Sequence, residues 1–483
     1  MSSIRPLLPL LLTDFYKTGH HLQYPDHTEY IYSNFTPRTS RIEGIDHVVV
    51  FGIQYFIQKY LVDLFNDHFF NQPVDEVLRE YKERMDTSFG PNNIGTDHIK
   101  ALHEFGYLPL HIKSLEEGTL CPMRVPVLTI VNTHPNFYWL TNYIETLLSV
   151  VLWHPMTSAT IAHEYKKILK KYAQKTSDNM DFVSFQAHDF SMRGQSSLES
   201  AMVSGAAHLT SFKGTDTIPA IDLVQNYYGS QEFIGGSIPA TEHSVMCAGG
   251  ENDEEGTYIR LLTKIYPDGL VSIVSDTWDY WNLITSTLLK LKSIILSRNG
   301  KLVIRPDSGD PVKIICGDPD AKSSSPQSLG TIEILWNIFG GTVNSKGYKE
   351  LDPHIGCIYG DSITMDRCEE ICSRLEKMGF ASTNVVFGIG SFTYQYVTRD
   401  TFGFAMKSTY AIINGVGHEI FKKPKTDNGV KNSAKGLLRV NPDMTLSESV
   451  TGEESASGML QTVFINGETM NRITFDQIRK KLE

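Results

Sequence analysis

The sequence predicts an α/β fold: an irregular parallel α/β barrel accompanied by a second, discontinuous α+β domain. Three observations carry that expectation. Short apolar, β-branched or aromatic runs alternate with helical segments through the middle of the chain, as in parallel sheets, whose strands are buried on both faces and read as continuous apolar stretches. Each run ends in a cluster of Gly, Asp, Ser, Arg or His, at the rim where barrels and open α/β sheets build their sites. The flanks lack this rhythm and mix strands with turns at 47–60, 107–131 and 404–422.

In chain order the runs are FVSFQAHDF (182–190), HLTSFKGTD (208–216), LVSIVSDTWD (270–279), KLVIRPDSGDP (301–311), IGCIYGDS (355–362) and NVVFGIGS (384–391). SLESAMVSGAAH, TWDYWNLITSTLLKLKSII, TIEILWNIFGG and TMDRCEEICSRLEKMG carry helical periodicity and separate several of them. The barrel is assigned to 151–394, and 1–150 with 395–483 to the flanking domain. Two stretches read as loops, the Ser/Pro/Asp-rich 317–329 and the basic 422–435.

Composition narrows the function. In 483 residues, 41% are hydrophobic and 20% charged, which supports a packed core and rules out wholesale disorder. A net charge of -11 argues against a general grip on nucleic acid or an anionic membrane, so an anionic ligand needs a locally basic pocket. No window approaches the ~20 apolar residues of a spanning helix, and the N-terminus lacks a signal-peptide pattern. The six scattered cysteines suit a reducing, cytoplasmic compartment better than a disulfide scaffold. Cys368 and Cys372, one helical turn apart, lack two further ligands for a metal; the metal-binding residues are left unknown.

The strand-end clusters suggest phosphosugar chemistry. RPDSGDP delivers Arg305, a bidentate phosphate donor, then Asp307, suited to a cation or a ribose hydroxyl. Gly360 and Asp361 end one run, and Gly388, Gly390 and Ser391 the next; Gly-rich turns before helices cradle anions. HDFSMRG offers Arg193 for a phosphate and Phe190 either for core packing or for stacking on a flat ring, a contact worth ~1–3 kcal/mol. Asp216 reads as a helix N-cap or a ligand contact. His243 reads as a structural histidine or as a nucleophile or acid–base group oriented by Asp276. In the C-terminal flank, Arg399, Lys407, Lys422, Lys423, Lys431 and Lys435 are either a solvated basic face or part of the site.

TDFYKTGH, WLTNYIET, HDFSMRG, FKGTDT, SIPATEHS, VSIVSDTWD, VIRPDSGDP, GYKELDP, NVVFGIGS and TRD, in this order over nearly the whole chain, resemble the nicotinamide phosphoribosyltransferase family and, more loosely, the nicotinate phosphoribosyltransferases. The resemblance implies a type II phosphoribosyltransferase acting as a homodimer with shared active sites. It would transfer the phosphoribosyl group of 5-phosphoribosyl 1-diphosphate to nicotinamide, giving nicotinamide mononucleotide and diphosphate in NAD salvage. Mg²⁺ would be the cofactor and ATP a co-substrate, hydrolysed through a phosphohistidine. By matching position, Phe190 and the partner subunit's Tyr16 would sandwich the nicotinamide ring, and Asp216 would accept from its carboxamide. Arg193 and Arg305 would hold phosphate or diphosphate, and Asp307 the ribose hydroxyls or the magnesium-linked sugar. Gly360, Asp361, Gly388, Gly390 and Ser391 would lie at the phosphate and ribose end, and Arg399 and Lys407 would reach phosphates across the interface. His243 would be phosphorylated, with Asp276 its orienting carboxylate. The chain departs from the family pattern at Gly356, where an Arg is common, and at GIGSFT, where a longer Gly run is common; both bear on the phosphate end. The alternatives are a nicotinate phosphoribosyltransferase, a barrel phosphatase or aldolase, and a silent binding protein. The phosphatase or aldolase lacks its Schiff-base Lys or metal cluster on the rim, and the silent protein would have lost site residues that this chain retains.

Overall fold

A computed structural model describes residues 7–422 and 434–483. The chain divides into two units, one of 1–160, 224–231 and 397–483, the other of 161–223 and 232–396. The division thus runs at 160 and 397, beside the sequence-based 150 and 395, and 224–231 joins the first unit.

The second unit is built on six parallel strands: β1 (Ala187–Asp189), β2 (Gly214–Thr215), β3 (Val271–Val274), β4 (Leu302–Arg305), β5 (Ile355–Tyr359) and β6 (Val385–Ile389). Their spatial order is β2-β1-β6-β5-β4-β3. The first strand therefore lies beside the last, as it does when a sheet curls on itself. One short segment bridges both open edges: Gly236 pairs with Gly214 and Ala240 with Ser272, both in parallel sense. Backbone bonds from Thr215 N to Gly236 O (2.9 Å) and from Ser272 N to Pro239 O (2.8 Å) make the closure. The result is an irregular parallel barrel, and closure satisfies edge groups that an open sheet would expose.

Two predicted strands are shorter than their apolar runs. Residues 182–185 form a helical turn, so only Ala187–Asp189 of the first run is extended. In the second, Leu198–Leu209 continues as helix through HL, Thr210 Oγ1 donates back to the Ala207 carbonyl at 2.7 Å, and the strand shrinks to Gly214–Thr215. Hydroxyls that bond back to helix carbonyls end the helix gradually, which an apolar run does not reveal.

The rim between β1 and β2 is fixed by one carboxylate. Asp189 is fully buried. Its Oδ1 accepts from the Ser191 amide (2.9 Å) and hydroxyl (2.6 Å), and its Oδ2 from the Thr217 hydroxyl (2.7 Å). The Asp189 carbonyl accepts from the Asp216 amide at 3.0 Å. One residue thereby sets the loops that carry Phe190 and Asp216. Behind it His208 bridges the Tyr394 hydroxyl (2.7 Å) and the Gly214 carbonyl (3.1 Å); burial pushes its imidazole down to about 4, so it is a neutral structural group.

The first unit holds a seven-stranded sheet in which Thr28–Thr36 lies between Ala405–Ile413 and Leu128–Asn132, all antiparallel. Phe35 and Phe404 stack in its core with ring centroids 5.2 Å apart. Of the flanks read as strands and turns, 107–131 and 404–422 supply Leu110–Ser114, Leu128–Asn132 and Ala405–Ile413, whereas 47–60 holds only the short strand His47–Val49 before the chain turns helical at Ile53; Thr28–Thr36 lies outside the stretches named. The six cysteines are free, and no described helix is long and apolar enough to cross a membrane.

Replacing Asp189 by Asn puts an amide –NH₂ where Ser191 or Thr217 now finds an acceptor. Asp189→Asn should destabilise the protein by about 1–3 kcal/mol, read as a lower thermal midpoint; an unchanged midpoint would show that the loops do not depend on this carboxylate.

Candidate active site

At the carboxyl ends of the barrel strands lies a cleft of about 1020 Å³. Phe190 and Arg193 reach it from the loop after β1, Asp216 from β2, and Arg305 and Asp307 from β4. Gly360 and Asp361 follow β5, Gly390 and Ser391 follow β6, and His243 enters from the first turn of His243–Ala248. Groups from separate segments, expected to converge on one anionic sugar, do line one cavity.

One end of the cleft is a slot of Phe190 and Asp216. Gly388, expected among the phosphate contacts, lies beneath Phe190: a Cβ there would fall 2.5 Å from the ring's Cδ2 and 2.8 Å from the Gly360 Cα. It sets how closely the ring approaches the strand. Asp216 Oδ1 lies 2.8 Å from His188 Nε2 and accepts from the Ser237 hydroxyl at 2.5 Å. Burial pushes the Asp216 carboxyl up, but the bonds from His188 and Ser237 outweigh it and hold the group below the usual carboxylate value. Asp216 is thus a carboxylate at neutral pH, and Oδ2 accepts from none of the described residues. Sequence reasoning missed His188, although it stands inside AHDF, and Ser237, which the barrel closure brings in.

The other end is held by Asp276, whose side chain is 5% exposed. Its Oδ2 accepts from the Asp307 amide (2.9 Å) and the Ser308 hydroxyl (2.6 Å), and its Oδ1 lies 3.2 Å from His243 Nε2. Arg305 donates through Nη2 to the Thr241 carbonyl at 2.6 Å and sets Nε 3.7 Å from Asp307 Oδ2. Gly360 packs so closely on Asp307 that a Cβ would lie 2.2 Å from its Oδ1. The Asp307 carboxyl is pushed up by burial and by Asp276 and Asp361, against the pull of Arg305 and His243. Crowded, partly desolvated carboxylates of this kind are oxygen donors for a hard divalent cation.

Gly356 is not at the phosphate end. It lines an apolar cavity of about 360 Å³ in the barrel interior, which shares Phe190 and Asp216 with the cleft. A Cβ at 356 would lie 3.3 Å from the Lys301 Cδ, so the lysine stem covers this glycine. Ser391 does line the cleft, and its hydroxyl fills the space beside Gly194, where a Cβ would clash with it.

Tyr16, Arg399 and Lys407 belong to the first unit. Tyr16 is 61% exposed, with the Lys17 ammonium 5.1 Å from its ring centre. Arg399 lies 3.6 Å from Asp400. Lys407 lines a cavity of about 680 Å³ with Arg38 and Arg124, neither singled out from sequence. Burial lowers the Lys407 ammonium; Glu145 opposes this, while Arg38, Lys422 and Arg399 lower it further, which marks a cluster of cations. Lys435 lies 3.8 Å from Glu419, and Lys423 and Lys431 fall outside the described residues.

Residues 185–468 match the nicotinate phosphoribosyltransferase (NAPRTase) family, and residues 9–112 the nicotinamide phosphoribosyltransferase N-terminal domain. The chain is 53% identical to a nicotinamide phosphoribosyltransferase of Acinetobacter baylyi, over 98% of this chain and 97% of that protein. It is 34% identical to one from Xanthomonas campestris, over 97% of each. A nicotinate-nucleotide pyrophosphorylase from Pyrococcus furiosus has the same fold, with a TM-score of 0.57 at 14% identity, over 100% of this chain and 96% of that one. Human nicotinic acid phosphoribosyltransferase does as well, at 0.53 and 14%, over 97% and 92%. A barrel whose rim gathers arginines, carboxylates and glycines, matched over more than half its length by one family and almost end to end by these relatives, belongs to the nicotinate phosphoribosyltransferase family, among its nicotinamide phosphoribosyltransferases.

Proposed function

We propose that this phosphoribosyltransferase joins nicotinamide to 5-phosphoribosyl 1-diphosphate, releasing nicotinamide mononucleotide and diphosphate. The observation that carries this reading is the single cleft lined by Phe190, Asp216, Arg193, Arg305 and Asp307. The pyridine nitrogen attacks the anomeric carbon as the bond to the diphosphate oxygen breaks. The nucleophile is neutral and needs no strong base, so the work is positioning and charge stabilisation. Phe190 holds the ring flat. Arg193 and Arg305 take the negative charge that develops on the leaving group. The carboxylates fit Mg²⁺, which Asp307 and Asp361 would hold and which, when bound, neutralises diphosphate charge.

Asp216 sets the choice of base. A carboxylate held in its charged form accepts from the carboxamide –NH₂ and repels the carboxylate of nicotinate. That is why nicotinamide is preferred over the alternative of nicotinate. ATP use through a phosphohistidine is part of the same reading: the His243 ring nitrogen not engaged by Asp276 attacks the γ-phosphorus, ADP leaves, and water later cleaves the phosphoramidate. In a homodimer, the partner's Tyr16 would cover the second face of the nicotinamide. The cation cluster of Arg38, Arg399 and Lys407 supports a phosphate-binding role across the same interface.

Three results test these assignments. Incubation with 5-phosphoribosyl 1-diphosphate, Mg²⁺ and each base should give kcat/KM higher for nicotinamide than for nicotinate by at least about tenfold, and Asp216→Asn should narrow the ratio; comparable values for the two bases in the unaltered protein refute the reading. With γ-labelled ATP, acid-labile phosphate should appear on the protein and vanish in His243→Ala; persisting label would move the site elsewhere. Because Asp307 takes up a proton above the ordinary aspartate range, activity should fall as pH drops through that raised value. Proton and cation compete for this carboxylate, so added Mg²⁺ should move the acid limb to lower pH, and a limb indifferent to Mg²⁺ removes Asp307 as a ligand.

A further inference from the structure

We propose that Arg367 binds the 5′-phosphate monoester of the sugar. The inference rests on the phosphoribosyl-transfer reading and adds a residue to it. Arg367 lies in the first turn of Met365–Lys377, whose N-cap Thr364 accepts from the Arg367 amide at 3.2 Å, and both residues line the cleft. Its side chain turns back toward the strand end: Nη1 donates to the Ser362 carbonyl at 2.7 Å. Among the described residues it makes no ion pair, whereas Arg374, two turns on, lies 2.7 Å from Glu370. Its remaining N–H groups donate to none of the described residues. An arginine that lines an anion cleft, anchored at one nitrogen and without a carboxylate partner, is set to grip a phosphate through its other nitrogens.

The rim itself says which phosphate. One end carries Asp276, Asp307 and His243, the carboxylates suited to a cation-bound diphosphate. At the other end the loops after β5 and β6 are tied together, since the Ile363 carbonyl accepts from the Tyr165 hydroxyl (3.0 Å) and the Thr393 hydroxyl (3.3 Å). That end presents Ser362, Thr364, Gly390 and Ser391, with Gly360 and Asp361 between it and Asp307. Asp361, the carboxylate between the two ends, accepts from the Ser362 hydroxyl at 2.6 Å and would repel a dianion on the far side from Asp307 unless a cation stood there. Arg367 supplies that cation. Ser362 has a φ of 56°, a left-handed conformation that costs a non-glycine residue about 1 kcal/mol or more. The Arg367 bond holds this turn, so the same side chain positions the turn and presents its free donors to the ligand.

The test is equilibrium binding of nicotinamide mononucleotide, which has the monoester, against nicotinamide riboside, which lacks it, with diphosphate as a third ligand. Arg367→Ala should weaken mononucleotide binding by about tenfold or more and leave the riboside and diphosphate within about twofold. The KM for 5-phosphoribosyl 1-diphosphate should rise while that for nicotinamide stays level, and Arg367→Lys should recover part of the loss. Ser362→Gly makes the left-handed turn self-supporting, so the loss should persist in the Arg367→Ala/Ser362→Gly double variant. A loss that this glycine restores, an equal loss for mononucleotide and riboside, a loss for diphosphate alone, or no loss at all overturns the proposal while transfer activity stands. An unaltered protein that binds the mononucleotide no better than the riboside and makes none of it overturns the functional reading, and the proposal with it.

Discussion

A carboxylate sealed inside the barrel wall fixes the positions of Phe190 and Asp216, the two residues proposed to hold the base. Asp189 is closed off from bulk solvent, and its oxygens are met by Ser191 and Thr217. A buried anion without these donors is costly, and the donors are buried with no other acceptor of equal strength. The requirement is mutual and fixes the two loops to each other. Phe190 and Asp216, the neighbours of these residues in the chain, inherit their separation from it. The slot is therefore preorganised before any ligand arrives, which is where transfer chemistry with a neutral nucleophile gains most.

The rest of the cleft is a balance of opposite charges held at fixed positions. Asp276 is the pivot: its two oxygens orient Asp307, Ser308 and His243 at once. Gly360 lets the β5 end close against Asp307, and Gly388 lets Phe190 lie on the strand. These glycines matter for close approach, since any side chain would collide with a group that touches the substrate in the proposed mechanism. Arg193 from the turn after β1, Arg305 from the end of β4 and Arg367 from the first turn of Met365–Lys377 supply positive charge from three separate segments, which suits a ligand with more than one phosphate.

Much of the site was legible because it is local. A strand that ends in RPDSG announces an arginine and a carboxylate two residues apart, whereas Asp276 was only a candidate partner for His243, and the fold brings the two within 3.2 Å. What was illegible depends on distant segments. His188 became a partner of Asp216 only because β1 and β2 are neighbours. Ser237 arrived with 236–240, a Gly-Ser-Ile-Pro stretch with no strand signature that nonetheless closes the barrel. Arg367 looks in the sequence like any charged residue on an amphipathic helix, and the placement of Gly356 beside Lys301 depends on the register of β5 with β4.

By itself, the order of residues determined the strand–helix alternation and which side chains stand at strand ends, because both follow from near-neighbour chemistry: apolar runs that need burial, and turn residues that stop them. Only the tertiary structure decided which strand ends meet. The spatial order β2-β1-β6-β5-β4-β3 is not the chain order, and curling brings residues nearly two hundred positions apart to one rim. That arrangement depends on the closing segment, on buried groups such as Asp189 and His208, and on glycines at close contacts, all long-range constraints that no local pattern encodes.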